Sequence, residues 1–140
     1  MRIAYLDCIG GISGDMFLGA LVDLGVESSF IEEKFKEFEL ENIKLKSEKV
    51  LKLGISATKI DFEFDEKIRF KNYKDIVEFL NKKIKENHLK SKVLKIFSTL
   101  AEVEAKIHNV LKEEVHFHEL GCLDTICDIL GVCIALEKLI

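Results

Sequence analysis

The chain has 140 residues, 48% of them hydrophobic and 33% charged, with a net charge of −4. That size suits one domain with a modest core, and the composition excludes a disordered chain. The acidic balance argues against nucleic acid as a partner, and no apolar run is long enough to span a bilayer; with no basic region ahead of an apolar, cleavable stretch, the cytoplasm is the expected location.

In chain order, residues 2–7 read as a short buried strand and residues 8–14 as a glycine-rich turn. Residues 16–24 are apolar nearly all round and predict a buried helix closed by Gly25 at the C′ position. Ser29 to Glu32 has the capping-box form and opens an amphipathic helix through about Phe38. Residues 43–50 and 55–64 alternate, with Ile60, Phe62 and Phe64 on one face and Leu53-Gly54 between, which predicts a hairpin. Asn72 caps a helix whose apolar stripe is Tyr73, Ile76, Val77, Leu80 and Ile84, broken at Asn87-His88. A longer helix follows, with Val93, Ile96, Phe97, Leu100, Val103, Ile107 and Val110 expected toward the core. Residues 114–119 read as a short strand. From Gly121 or Cys122 a final helix runs to the last residue with no cap, as in the N-terminal fragment of a longer or split protein. The expectation is an α/β or α+β layered domain over residues 1–140, a short sheet with a hairpin packed by about five helices.

The four cysteines, Cys8, Cys122, Cys127 and Cys133, form no C-x-x-C pair. A zinc ribbon is therefore disfavoured, and buried reduced thiols are the plain reading for all but Cys8. His88 and His108 lie on or near helices rich in Lys and Glu and read as surface residues.

Two segments carry chemistry. In the first, Asp7 ends the predicted strand, Gly10, Gly11 and Gly14 let the backbone turn tightly and approach a ligand, and Ser13 and Asp15 sit at a helix start. The two acids would repel a bare phosphate but suit one bridged by magnesium or manganese. The plain alternative is that Ser13 or Asp15 is only an N-cap and the glycines only serve the turn.

In the second, His116, His118, Glu119, Asp124 and Asp128 crowd ligand-type side chains into a short span before and within an apolar helix. On a strand His116 and His118 would share a face, a common chelating geometry for nickel, zinc, cobalt or manganese. Asp124 and Asp128 are four apart and stack on one helix face, where their repulsion calls for a cation or a basic partner. As plain alternatives, Asp124 complements the helix dipole, Asp128 pairs with a lysine, and either histidine is a satisfied core side chain.

The run Tyr-Leu-Asp-Cys-Ile-Gly-Gly-Ile-Ser-Gly-Asp-Met from Tyr5, and Val-His-Phe-His-Glu-Leu-Gly-Cys-Leu-Asp-Thr-Ile-Cys-Asp from Val115, resemble the nickel insertion proteins of the nickel-pincer nucleotide pathway. Residues 54–60 and 100–108 resemble the same family, so the likeness spans essentially the whole chain. It implies CTP-dependent insertion of Ni(II) into pyridinium-3,5-bisthiocarboxylic acid mononucleotide, with manganese or magnesium, in the maturation of lactate racemase. It also implies roles: Asp7, Ser13 and Asp15 in catalysis, Gly10, Gly11 and Gly14 in binding the nucleotide, and His116, His118, Glu119, Asp124 and Asp128 as metal ligands. Family members are longer, and their CTP-binding region lies C-terminal to this segment. The implied partners are the mononucleotide precursor and that C-terminal part, with a homo-oligomer left open. Residues 65–72 hold none of the histidines of the insert many members carry. The rival expectations are a non-catalytic nickel-binding module and, from the carboxylates alone, a divalent-metal phosphohydrolase.

Overall fold

The structure, a computed structural model, describes residues 3–64, 68–118 and 122–139. In chain order these form α1 (Gly14–Asp23), α2 (Ser28–Glu37), β1 (Ile43–Lys52), β2 (Ile55–Phe64), α3 (Tyr73–Lys83), α4 (Asn87–His108), a 3₁₀ turn (Lys112–Glu114) and α5 (Leu123–Leu139). This is the small mixed domain that the alternation of the sequence predicts. Among the described residues no helix is long and apolar enough to cross a membrane.

The hairpin is antiparallel, with Ile43 opposite Phe64 and Leu45 opposite Phe62. Its turn places Leu53 and Gly54 at φ 49° and 81°, a left-handed pair suited to a two-residue connection. Ile43, Leu45, Ile60, Phe62 and Phe64 point to the helices, and Phe62 stacks on Phe35 of α2 at 5.7 Å. The opposite face is charged, with Lys46 paired to Glu63 and Lys59 to Asp61.

Two glycines let one face of α1 pack closely on its neighbours. A Cβ on Gly19 would collide with the backbone carbonyl of Thr58, so only glycine lets α1 approach β2 this closely. A Cβ on Gly131 of α5 would stand 2.8 Å from the Leu18 side chain. α5 therefore packs on α1, with α4 and α3 layered beyond it. Leu18, Phe35, Ile60, Phe97, Ile126 and Leu130 are among the fully buried side chains. Each stabilises the fold by roughly 1.5–3 kcal/mol relative to exposure.

Local signals hold in several places. Asn72 accepts the Asp75 N–H at 3.0 Å and starts α3. Gly25, at φ 110°, follows α1 at C′.

Other expectations are overturned. Residues 3–7 form no strand: the only sheet among the described residues is the hairpin, so this segment has nothing to pair with. Its side chains face outward, Tyr5 at 88% exposure and Ile9 at 93%. α1 is correspondingly half-exposed, with Met16 and Leu24 outside the core. Ser29 forms no capping box; Glu27 is the N-cap of α2 and makes no side-chain cap bond. Residues 112–114 form the 3₁₀ turn, residues 115–117 belong to no strand and His118 lies in a turn, so the strand expected over 114–119 is absent from its described part. On α4 the core stripe is Leu89, Val93, Phe97 and Ala101, spaced by four. Ile96, Val103, Ile107 and Val110 face outward instead, Val103 at 53% and Ile107 at 69% exposure, because α3 and α5 lie on the other side.

Candidate metal centre

The carboxylates of the two motifs meet where α1 starts against the first turns of α5. Ser13 is the N-cap residue of α1 but makes no side-chain cap bond; its hydroxyl donates to the Asp15 carboxylate. Gly14 lies against Asp128, and a Cβ built on it would stand 2.8 Å from the Asp128 Cβ and 3.1 Å from its Oδ2. The Asp15 backbone N–H donates to the Asp128 carboxylate. The start of α5 is anchored by the Leu123 N–H bonding the Ile68 carbonyl at 3.3 Å and by a bridge between Arg69 and Cys122.

Asp128 is the most perturbed acid. Burial, then the charges of Asp124 and Asp15, push its carboxyl up to about 7, against the lowering effect of the Asp15 N–H; Asp61 adds a smaller push. Its Oδ1 is buried and has no hydrogen-bond partner among the described residues. A buried carboxylate oxygen without a donor is costly, and a cation is one way to satisfy it. Asp124 is raised too, by burial first and then by Asp15 and Asp61. Lys59, paired to Asp61 at 2.7 Å, feels Asp15 more weakly. Desolvation and repulsion among acids from α1, β2 and α5 thus fit a hard divalent cation.

The histidines are elsewhere. Val115 and Phe117 are buried and alternate with His116 and His118, so both imidazoles face outward from an extended segment. Phe117 is held edge-on by Tyr73 at 6.4 Å and Phe97 at 6.3 Å. The Tyr73 N–H donates to the Val115 carbonyl at 2.9 Å, tying the segment to the start of α3. His116 Nδ1 is 2.5 Å from the Lys71 carbonyl oxygen. A cavity of about 260 Å³ is lined by His108, Val110, Glu114, Val115, His116 and His118. No carboxylate of the acidic cluster lines it.

The structure therefore sets the start of α1 at Asp15 against Asp128, with Asp124 within electrostatic reach, and places His116 and His118 on a separate cavity. Asp7, Gly10 and Gly11 lie on the exposed segment before α1, where Gly11 has φ 84° and both glycines face open space. Glu119 lies outside the described residues. Among the described residues no three His, Cys, Asp or Glu side chains already stand ready to hold a metal ion. Cys8 is exposed, Cys122 is half-buried, and Cys127 and Cys133 are buried thiols whose deprotonation burial opposes, Cys133 being pushed up to about 11.

Sequence reasoning passed over three neighbours of these groups. Asp61 is hidden because its charge reaches Asp124 and Asp128 only through the packing of β2, α1 and α5. Glu114 and His108 reach the histidine cavity through a chain reversal after α4. The signal for that reversal is Asn109, which adopts the left-handed conformation at φ 52° and ends the helix one residue beyond His108.

The family model described as "Nickel insertion protein" matches residues 4–140. A pyridinium-3,5-bisthiocarboxylic acid mononucleotide nickel insertion protein of Geobacillus kaustophilus is 44% identical, covering 99% of this chain and 36% of that protein. Proteins of the same name from Staphylococcus epidermidis and a Thermotoga species are 43% and 41% identical, with 99% of this chain and 35% and 38% of those proteins covered. The chain spans about a third of the length of these relatives. No solved structure matches it.

Proposed function

The chain belongs to the nickel insertion protein family, and from that membership we propose that it is the metal-handling N-terminal part of an enzyme inserting Ni(II) into pyridinium-3,5-bisthiocarboxylic acid mononucleotide. The observation that carries this reading is the meeting of Asp15 with Asp124 and Asp128, acids from the two motifs that resemble the family.

The two clusters suit two tasks. Asp15, Asp124 and Asp128 would hold manganese or magnesium, whose preference for oxygen ligands matches this donor set and the unpartnered Asp128 Oδ1. When bound, that ion neutralises phosphate charge on the nucleotide. Ser13 orients the Asp15 carboxylate, and Gly10 and Gly11 leave the preceding loop open to the phosphate; Asp7 and Gly14 complete this side. His116 and His118 hold nickel as cargo. CTP binds in the portion of the longer relatives that lies outside this chain. The same portion covers the apolar faces left open here, the segment from Ile3 to Ile9 and the outer stripe of α4.

The test combines the chain with a polypeptide supplying the rest of a family member, and follows pincer formation from precursor, Ni(II), CTP and Mn(II). The expected result is nickel insertion that falls at least about 10–100-fold in Asp15→Asn and Asp128→Asn. Insertion unaffected by both substitutions overturns the acidic site. Nickel binding without any turnover would instead make the chain a non-catalytic nickel module. Phosphate release from simple esters with no nickel uptake would make it a phosphohydrolase.

A further inference from the structure

On the reading that this chain is the N-terminal part of a longer enzyme, we propose that residues 3–7 become a β-strand by backbone pairing with a sheet in the remaining two-thirds of that enzyme. The pairing also seats the loop of the first motif, from Asp7 to Gly11.

Ile3-Ala4-Tyr5-Leu6 is an unbroken apolar run ended by Asp7. Alternate residues of a strand point to opposite faces, so Ile3 and Tyr5 form one face and Ala4 and Leu6 the other. Runs that are apolar on both faces belong to strands covered on both sides. Here all four residues are exposed, and among the described residues no backbone hydrogen bond reaches residues 3–7. The lack of cover continues into α1, where Ile12 and Met16 are exposed although Leu18 and Leu21 are buried.

The hairpin is not the neighbour. Its far face is charged, with Lys46 paired to Glu63 and Lys59 to Asp61. A strand added at either edge would leave one apolar face in water beside that charge. A second copy offers the same hairpin and the same segment, and two such segments alone make a two-stranded ribbon that is marginal in water. The rest of the longer relatives is the occupant that fits, since this chain spans about a third of their length. A strand in the same polypeptide meets the segment at an effective concentration on the order of millimolar.

The pairing acts on the first motif. Asp7 ends the segment, and the turn that follows is closed by the Gly11 N–H donating to the Cys8 carbonyl at 3.1 Å. Beyond it α1 is held on α5 through Gly14 and Asp128. The loop is thus anchored at its α1 end; a paired strand anchors the other end and fixes where Asp7, Gly10 and Gly11 stand relative to Asp15.

The test is hydrogen exchange, read by mass spectrometry, in the 140-residue chain and in a chimera where these residues replace the matching third of a longer family member. Residues 3–7 are expected to exchange freely in the short chain and at least about 10-fold more slowly in the chimera. Ala4→Pro/Tyr5→Pro takes one N–H from each edge of the strand and should abolish the slowing at Leu6 and Asp7. Circular dichroism of the short chain should not change, because the segment is exposed there. If the chimera misfolds, the short chain co-expressed with the remaining portion takes its place. Equal exchange in both proteins overturns the strand, and nickel insertion by the same chimera then leaves the functional reading standing. Slowed exchange in a chimera that inserts no nickel supports the strand and overturns the functional reading. Slowing that survives the double substitution overturns backbone pairing. Slowing that appears in the short chain as its concentration rises makes a second copy the neighbour and overturns the assignment.

Discussion

Gly14 and Asp128 are packed so closely that a Cβ on the glycine would stand 2.8 Å from the Cβ of the aspartate. The contact seats the first turn of α1 on the first turns of α5, and the second chemical motif reaches the first through it. Gly14→Ala forces these helices apart. Overpacking costs about 1–3 kcal/mol, against less than about 1 kcal/mol gained in helix propensity. A net loss of about 1 kcal/mol is expected in urea unfolding, together with weaker Mn(II) binding. A variant as stable as wild type would show that the approach is not tight.

The Asp128 carboxyl, pushed from an ordinary 3.8 up to about 7, makes stability depend on pH. A raised acid favours the folded state below its unfolded pKa, and that contribution is lost as pH rises from about 4 through about 7. Asp128→Asn should therefore leave metal-free stability at pH 4 nearly unchanged and raise it at pH 8. Because the group is partly solvated, the gain is on the order of 1–2 kcal/mol. Chelator-treated protein unfolded in urea at both pH values checks this. A variant less stable than wild type at pH 8 would contradict it.

Asn72 caps α3 through the Asp75 N–H, and the neighbouring Lys71 carbonyl is bonded to His116. Asn72→Ala should cost about 1 kcal/mol. Histidine NMR of the same variant should show shifted His116 ring signals, since the Lys71 carbonyl that meets this ring adjoins the cap. A normal His116 signal would uncouple the two.

The two apolar stripes of α4 should respond oppositely. Ile107→Lys on the exposed side should change unfolding free energy by no more than about 0.5 kcal/mol in urea unfolding. Phe97→Ala, on the buried side, should cost about 3–5 kcal/mol. Similar costs for both would mean the helix is turned the other way.

The hairpin, the α3 cap and the glycine after α1 were legible because each is decided within a few residues: alternation around Leu53-Gly54, one side chain reaching Asp75, one φ at Gly25. The acidic cluster was half legible. Asp124 and Asp128 share a face by spacing alone, but their meeting with Asp15 and Asp61 is set by tertiary packing. The α4 stripe was half legible: Val93 and Phe97 are buried as expected, but Ile96, Val103 and Ile107 face outward, and periodicity gives no reason to choose between the two faces. Residues 3–7 have a strand's composition, but a strand needs a neighbour, and the described fold offers none. His108 is exposed, as its charged helix face predicts; that it lines a cavity with His116 and His118 depends on the reversal at Asn109.

Because α1 and α5 pack on each other from opposite ends of the sequence, a growing polypeptide cannot assemble the carboxylate cluster until α5 has left the ribosome. The intervening chain, about a hundred residues long, must close as a loop first, which slows folding and makes this contact a late event. A partly synthesised chain therefore lacks the buried contact between Gly14 and Asp128. The raised carboxyl of Asp128 becomes a property of the finished domain alone, because burial and the charges of Asp124 and Asp15 create it together.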